Sequence, residues 1–327
     1  MAGSDKSTCI CVRPSDAKHK IASSGGGEAW KYDVCMRGSI GLTGLGKNEK
    51  VAIMAVVNRT PDSFYDKGAT FGLDASVRAA VGALDAGAHW IDIGGVPFGR
   101  GPHVSAEEEC ERVVPFVRAL LRERPEAVIS VDTYRSQVAR EALEAGAQVI
   151  NDTSGFVDAD MIDIIAQTGA YAIVCHSAGK PREEKPAAYY DDVVAEVVAF
   201  VRERVERLRQ AGVASDRIIV DPGHDLDKNT LHSLELTRRL DEIVDLGFPV
   251  MVAVSNKDFI GECTNREQGQ RLAGSLAAMT ACVMSGARIV RMHDIGATVD
   301  AVHMTEAILG LREPFELIHN THPTHNV

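Results

Sequence analysis

The sequence predicts a (β/α)8 TIM barrel, class α/β, carried as a single domain behind an irregular N-terminal extension. Short apolar runs of strand length recur eight times after residue 50. Helical patterns, with apolar residues at three- and four-residue spacing, fill the intervals between them. Several helices also close on one phrase, a glycine flanked by a small residue and alanine, that leads straight into the next strand.

The predicted strands are 51–57, 89–93, 127–131, 148–150, 171–174, 217–220, 249–254 and 288–292. The clearest helical patterns cover 107–122, 191–210, 231–245 and 266–284. The closing phrase is Ala86-Gly87-Ala88, Ala145-Gly146-Ala147, Thr168-Gly169-Ala170 and Ser285-Gly286-Ala287. Glycine tolerates the left-handed turn that ends a helix, so the phrase reads as helix-to-strand punctuation. Eight such units in about 280 residues match the size and alternation of the barrel. The competing architecture, an open doubly wound sheet, usually carries a GxGxxG turn after its first strand, and this first strand has none.

Residues 1–48 show no sustained period and include Ser23-Ser24-Gly25-Gly26-Gly27, the composition of an irregular extension. The expected division is therefore 1–48 extension, 49–315 barrel and 316–327 tail. The longest apolar run, 51–57, is far short of the roughly 20 residues of a membrane span. Lys6, Arg13, Lys18 and Lys20 are not followed by an apolar core of the secretory type, and the cysteines (9, 11, 35, 110, 175, 263, 282) lack a CxxC spacing, so a cytoplasmic protein with reduced thiols is expected. A formal net charge of −11 opposes nucleic acid and anionic membrane as partners and points to a small molecule instead.

In a barrel the reactive face is built where the strands end. Here those exits are Asn58, Asp92, Asp132, Asn151-Asp152, His176, Asp221, Ser255-Asn256-Lys257 and Arg291 with His293-Asp294. Turns favour Asp and Asn, which would explain any one exit; a polar residue at all of them is better explained by convergence on one mouth. The first loop is long, about 16 residues where 2–6 are usual, as lids and binding loops are. Thr60-Pro61 restrains its backbone, Gly68 can hinge it, and Asn58 offers a neutral oxygen to a hard cation.

Several segments resemble the dihydropteroate synthase family of the pterin-binding barrel superfamily. They are residues 54–68 with Asn58 and Thr60-Pro61-Asp62-Ser63-Phe64, then Ile129-Ser130-Val131-Asp132-Thr133-Tyr134, Ile150-Asn151-Asp152, Asp221-Pro222-Gly223, Ser255-Asn256-Lys257 and Val290-Arg291-Met292-His293-Asp294. The likeness keeps consistent order from about residue 51 to 310. In that family the amine of para-aminobenzoate attacks the methylene of 6-hydroxymethyl-dihydropterin diphosphate and expels Mg²⁺-bound diphosphate. The resemblance implies pterin recognition by Asp132, Asn151, Asp221 and Lys257 and a catalytic part for Lys257 and Asp62. It further implies diphosphate binding by Asn58, Arg291, His293 and Arg100, with Asn58 toward Mg²⁺, and a homodimer formed through late helices. The residue types suit this: carboxylates accept a pterin's N–H donors, and an amide both donates and accepts.

The resemblance is incomplete. The family's Gly-Gly-Glu-Ser-Thr-Arg-Pro-Gly is here Gly94-Gly95-Val96-Pro97-Phe98-Gly99-Arg100-Gly101, so Arg100 fills the Arg role only by a one-residue slip. Its Asp-Pro-Gly-Ile-Gly-Phe-Gly-Lys-Thr is here Asp221-Pro222-Gly223-His224-Asp225-Leu226-Asp227-Lys228-Asn229, and Ser-Arg-Lys-Ser is Ser255-Asn256-Lys257-Asp258. Ring contacts persist while the aminobenzoate side changes. Asp225, Asp227 and Asp258 are expected to repel an incoming carboxylate, by on the order of a kcal/mol for charges several ångströms apart.

The expected protein is a divergent second-copy paralogue: a transferase that binds a pterin diphosphate but has altered or weak activity toward para-aminobenzoate. One alternative is a catalytically inactive pterin-binding paralogue. A lower one is a metal-dependent barrel hydrolase with His176, Asp221, His224 and His293 as ligands.

Overall fold

A computed structural model of the chain describes residues 45, 49–58, 72–97, 102–177 and 189–319, all within the compact unit Met36–Val327. Eight parallel strands, β1 (Ala52–Asn58), β2 (Trp90–Gly94), β3 (Val128–Asp132), β4 (Val149–Asp152), β5 (Tyr171–Cys175), β6 (Ile218–Asp221), β7 (Met251–Val252) and β8 (Ile289–Met292), pair in the order β6-β5-β4-β3-β2-β1-β8-β7. A parallel bridge between Val220 and Val250 brings β6 against β7 and closes the (β/α)8 TIM barrel.

The strands carry two cores because successive side chains point to opposite faces. Ile53, Ile91, Ile129, Ile150, Val174, Val220 and Val290 join the helices in the outer core. Ala52, Met54, Trp90, Val128, Val149, Ile173, Ile219 and Ile289 form a separate inner core. Leu45 belongs to that inner cluster, so the N-terminal segment reaches the barrel before residue 49.

The surrounding helices are α1 (Leu73–Asp85), α2 (Ala106–Glu123), α3 (Ser136–Glu144), α4 (Ala159–Thr168), α5 (Val193–Gln210), α6 (Thr230–Arg238), α7 (Asp241–Val244), α8 (Asp258–Thr264), α9 (Leu272–Met284) and α10 (Ile295–Ile308). The repeated glycine phrase behaves as read: Gly87, Gly146, Gly169 and Gly286 take φ of 105°, 112°, 67° and 111°. Local capping fixes several starts. Ser105 accepts from Glu108 N at 3.1 Å before α2, and Asp192 accepts from Val194 and Ala195 N at 3.0 Å before α5.

One predicted helix divides and another starts late. The pattern 231–245 breaks at Arg239 (φ −112°), after which Leu240 is fully buried. The pattern 266–284 starts later, as α9 at Leu272, because 266–271 form the turn that follows α8, a helix the pattern did not include: Asn265 ends α8 in the left-handed conformation, φ 52°, and Gly269 follows at φ 85°. Apolar spacing continues across the break in 231–245, which hid it, whereas 264–271 contain no apolar residue. Strand β7 is also shorter than the predicted 249–254, since Pro249 has no N–H to pair and Asn256 turns at φ 59°. The cysteines among the described residues, 110, 175, 263 and 282, are unpaired. No described helix is long and apolar enough to cross a membrane.

Candidate functional site

On most strands the inner face changes from apolar to polar along its length. In register, Asp92 lies opposite Ser130, Gly94 opposite both Asn58 and Asp132, Asp132 opposite Asn151, and Cys175 opposite Asp221. These residues share parity with Trp90, Val128, Val149, Ile173 and Ile219 of the inner core. They therefore form the next layer up the same interior. The strands end as polar rungs above an apolar plug.

Asp92 is fully buried and accepts from Arg291 Nε at 2.7 Å and from Asn151 Nδ2 at 3.4 Å. The same guanidinium reaches Asp132 at 3.1 Å. Burial opposes the Arg291 charge, but Asp92 and Asp132 together raise its pKa. Burial pushes Asp132 up to about 7, with Asp92 adding to the push and Arg291 opposing it. Burial raises Asp221 too, against a hydrogen bond from Gly223 N at 2.8 Å and the nearby charges of Lys257, Arg291 and Lys228.

Asp92 Oδ1, Ser130 Oγ and Asn151 Oδ1 are buried without a hydrogen-bond partner in the protein. Unmet acceptors are costly in an interior, so a cluster of them on adjacent strands marks a place prepared for something with N–H donors. An alanine Cβ at Gly94 would stand 3.5 Å from Asn58 Oδ1 and 3.6 Å from Asp132 Cβ, ordinary contact distances that place those two side chains on either side of Gly94. His293 lies across the mouth and shares a 3.0 Å hydrogen bond between Nδ1 and Ser255 Oγ.

A sequence model of the family described as pterin binding enzyme matches residues 54–293, most of the chain. The chain belongs to the pterin-binding enzyme family. Over 272 residues it is 44% identical to a protein of Mycobacterium tuberculosis strain H37Rv named inactive dihydropteroate synthase 2, covering 81% of this chain and 85% of that one. Over 262 residues it is 39% identical to the dihydropteroate synthase of Escherichia coli K12, with 80% and 93% covered. The solved dihydropteroate synthase of Xanthomonas albilineans in complex with 7,8-dihydropteroate superposes with a TM-score of 0.72 at 35% identity, covering 81% of this chain and 96% of that one.

Of the residues singled out from the sequence of this pterin-binding family member, Asn58, Asp132, Asn151, Asp221, Lys257, Arg291 and His293 all come to the same end of the barrel. Asp62 and Arg100 lie outside the described residues, as do Thr60, Pro61 and Gly68. Asp152, paired with Asn151 in the sequence reading, faces elsewhere. It holds the next turn by accepting from Ser154 N and Oγ at 2.7 Å and Phe156 N at 3.0 Å.

The three carboxylates expected to repel an incoming anion are each held by a donor. Asp225, in the left-handed conformation at φ 63°, accepts from Asp258 N at 2.5 Å and from Phe259 N, and so is engaged by the start of α8. Asp258 is ion-paired with Arg271 at 2.8 Å, and Asp227 accepts from Ser177 Oγ at 3.1 Å. These carboxylates already have partners. Arg271 offsets the charge of Asp258, while the neutral donors on Asp225 and Asp227 fix those carboxylates in place without cancelling their charge.

The hydrolase alternative is opposed by the same kind of accounting. His224 bonds Thr237 at 3.2 Å, His176 bonds Lys228 at 2.8 Å, and His293 bonds Ser255. Among the described residues no three His, Cys, Asp or Glu side chains converge on a point that could hold a metal ion.

Asp92 is the residue whose part the sequence reading left unassigned, though it named it as an exit. The signal was its parity: it stands two residues before Gly94, on the same inward row.

Proposed function

We propose that the barrel binds a reduced pterin bearing a diphosphate, with the ring held by Asp132, Asn151, Asp221 and Lys257 over Asp92. The observation that carries this reading is the group of unmet buried acceptors on Asp92, Ser130 and Asn151. Two of them flank the Arg291 ion pairs. A pterin edge, with its amino and ring N–H groups, supplies the donors they lack.

The transferase reading assigns Arg291, His293, Asn58 and Arg100 to the diphosphate, and Lys257 with Asp62 to the reacting end. Mg²⁺ suits this donor set in one respect. It keeps most of its waters and binds through few protein oxygens together with substrate phosphates, and Asn58 presents a neutral oxygen at the rim. Bound there, the ion would offset the charge of the departing diphosphate. The protein's own work is positional: it fixes the ring in the barrel and holds cations near the leaving group.

The catalytically inactive reading has its own support, namely the 44% identity to proteins named inactive dihydropteroate synthase 2. Loop changes at Gly95-Val96-Pro97 and Asp225-Leu226-Asp227 alter the side where the aromatic amine would enter. We therefore place pterin binding first and dihydropteroate formation second, as weak or lost. A cytoplasmic homodimer and a functional domain over 49–315, preceded by an extension whose Leu45 packs into the inner core, complete the proposal.

Separate isothermal titrations with a 7,8-dihydropterin and with para-aminobenzoate, followed by a turnover assay with Mg²⁺, test it. Ring binding with little or no turnover is expected. Normal turnover would overturn the ranking, and no ring binding would overturn the reading altogether.

A further inference from the structure

Lys228 is buried in the loop after β6, where its ammonium donates to Gly223 O at 3.0 Å, Leu226 O at 2.9 Å and His176 O at 3.3 Å. It also meets His176 Nδ1 at 2.8 Å. An ammonium has three protons, so four acceptors hold it fully and leave it none to give a ligand. The acceptors come from two loops: His176 ends the β5 exit, while Gly223 and Leu226 follow β6.

Those loops approach as closely as backbone allows. Gly223 sits at φ 69°, and a Cβ there would be 2.0 Å from His176 O. Gly223 N in turn donates to Asp221 Oδ1 at 2.8 Å. One residue thus receives the Lys228 charge on its carbonyl and orients the Asp221 carboxylate with its amide, leaving Oδ2 for a ligand.

We propose that Lys228 is a positioning residue of the ring site: its ammonium ties the β5 and β6 loops together and holds Asp221 in the orientation that a heterocycle's N–H edge uses. This rests on the proposed role of Asp221. Lys228 touches neither the ring nor the reacting atoms.

The surroundings make the brace sensitive to pH. Burial lowers the Lys228 pKa to about 8, against support from Cys175, Asp221 and Asp227 and with Lys257 adding to the fall. The Tyr190 ring lies 6.0 Å away. His176 stays an acceptor because burial, and then Lys228 itself, push it down to about 3. Above about pH 8 the ammonium loses its proton and with it one arm of the brace.

The test is isothermal titration of a 7,8-dihydropterin into parent, Lys228→Met, Lys228→Arg and Asp221→Asn proteins between roughly pH 7 and 9.5, with circular dichroism to confirm folding. The parent should lose affinity several-fold across that range. Lys228→Met should bind about tenfold more weakly at pH 7 and show no alkaline decline, and Lys228→Arg, charged throughout, should show no alkaline decline either. A parent whose affinity is flat to pH 9.5 overturns the proposal with no variant required, as does a folded Lys228→Met that binds like the parent. If Asp221→Asn also binds like the parent, the ring site itself has been misplaced; if it alone is weakened, only the role of Lys228 fails.

Discussion

Arg291 and Asp92 stand 199 residues apart in the chain and 2.7 Å apart in the barrel. The pair sits below the mouth, with Asp92 fully buried and the Arg291 side chain 16% exposed. It anchors the site from beneath: one guanidinium holds β2 and β8 in relation to each other and also reaches Asp132 on β3.

Removing that cation strands the buried carboxylate. Breaking one partner of a buried pair costs about 3–5 kcal/mol. Arg291→Met should lose about 3 kcal/mol, toward the lower end because Asp132 keeps a quarter of its side chain exposed. Urea denaturation measures this. An unchanged midpoint would show that Asp92 is not carrying its charge against Arg291.

Ring affinity should depend on the Asp132 proton. Its pKa is raised to about 7, so below that pH the carboxyl is neutral and its own O–H competes with a ligand's donors. Affinity for a dihydropterin should therefore climb several-fold from about pH 6 to pH 7.5. Asp132→Asn should flatten that rise. Titration calorimetry at four pH values would reveal the opposite trend if the neutral acid were the binding form.

His224 offers a stability test with the sign of a buried neutral histidine. Burial first, then Lys228 and Lys257, lower its pKa to about 3, while the unfolded chain titrates near 6.5. Between those values the unfolded state binds more protons. The stability His224 contributes at neutral pH is thus lost as pH falls, by at most about 1.4 kcal/mol per unit. His224→Asn should show a shallower acid decline than the parent in chemical denaturation. Parallel declines would mean that the imidazole is charged in the fold.

Gly223→Ala should be among the most damaging small substitutions. The new methyl would lie 2.0 Å from His176 O in a backbone conformation, φ 69°, that L residues rarely adopt. We expect a loss of at least about 2 kcal/mol, together with weakened ring binding through Asp221. A variant with parental melting temperature would show that the two loops are less tightly apposed.

Much of this was legible in the chain because the barrel repeats itself. The glycine phrase marked four helix ends, and polar residues at strand exits announced the mouth. Two things were not legible. The break at Arg239 carries neither Gly nor Pro, and apolar residues keep helical spacing from Leu231 to Val244, so nothing local separates α6 from α7. Hydrogen-bond partners were equally hidden: Asp225 and the amides it engages are 33 and 34 residues apart, and only the folded loops bring them together.

The decisive measurement is a crystal structure of the protein soaked with a 6-hydroxymethyl-dihydropterin diphosphate and Mg²⁺. The account predicts the ring inside the barrel mouth, its N–H edge within about 3 Å of Asp132, Asn151 and Asp221, with the diphosphate turned toward Arg291 and His293. Density for the ring anywhere outside that layer, or an intact Asp92–Ser130–Asn151 cluster with the ligand bound elsewhere, would contradict it.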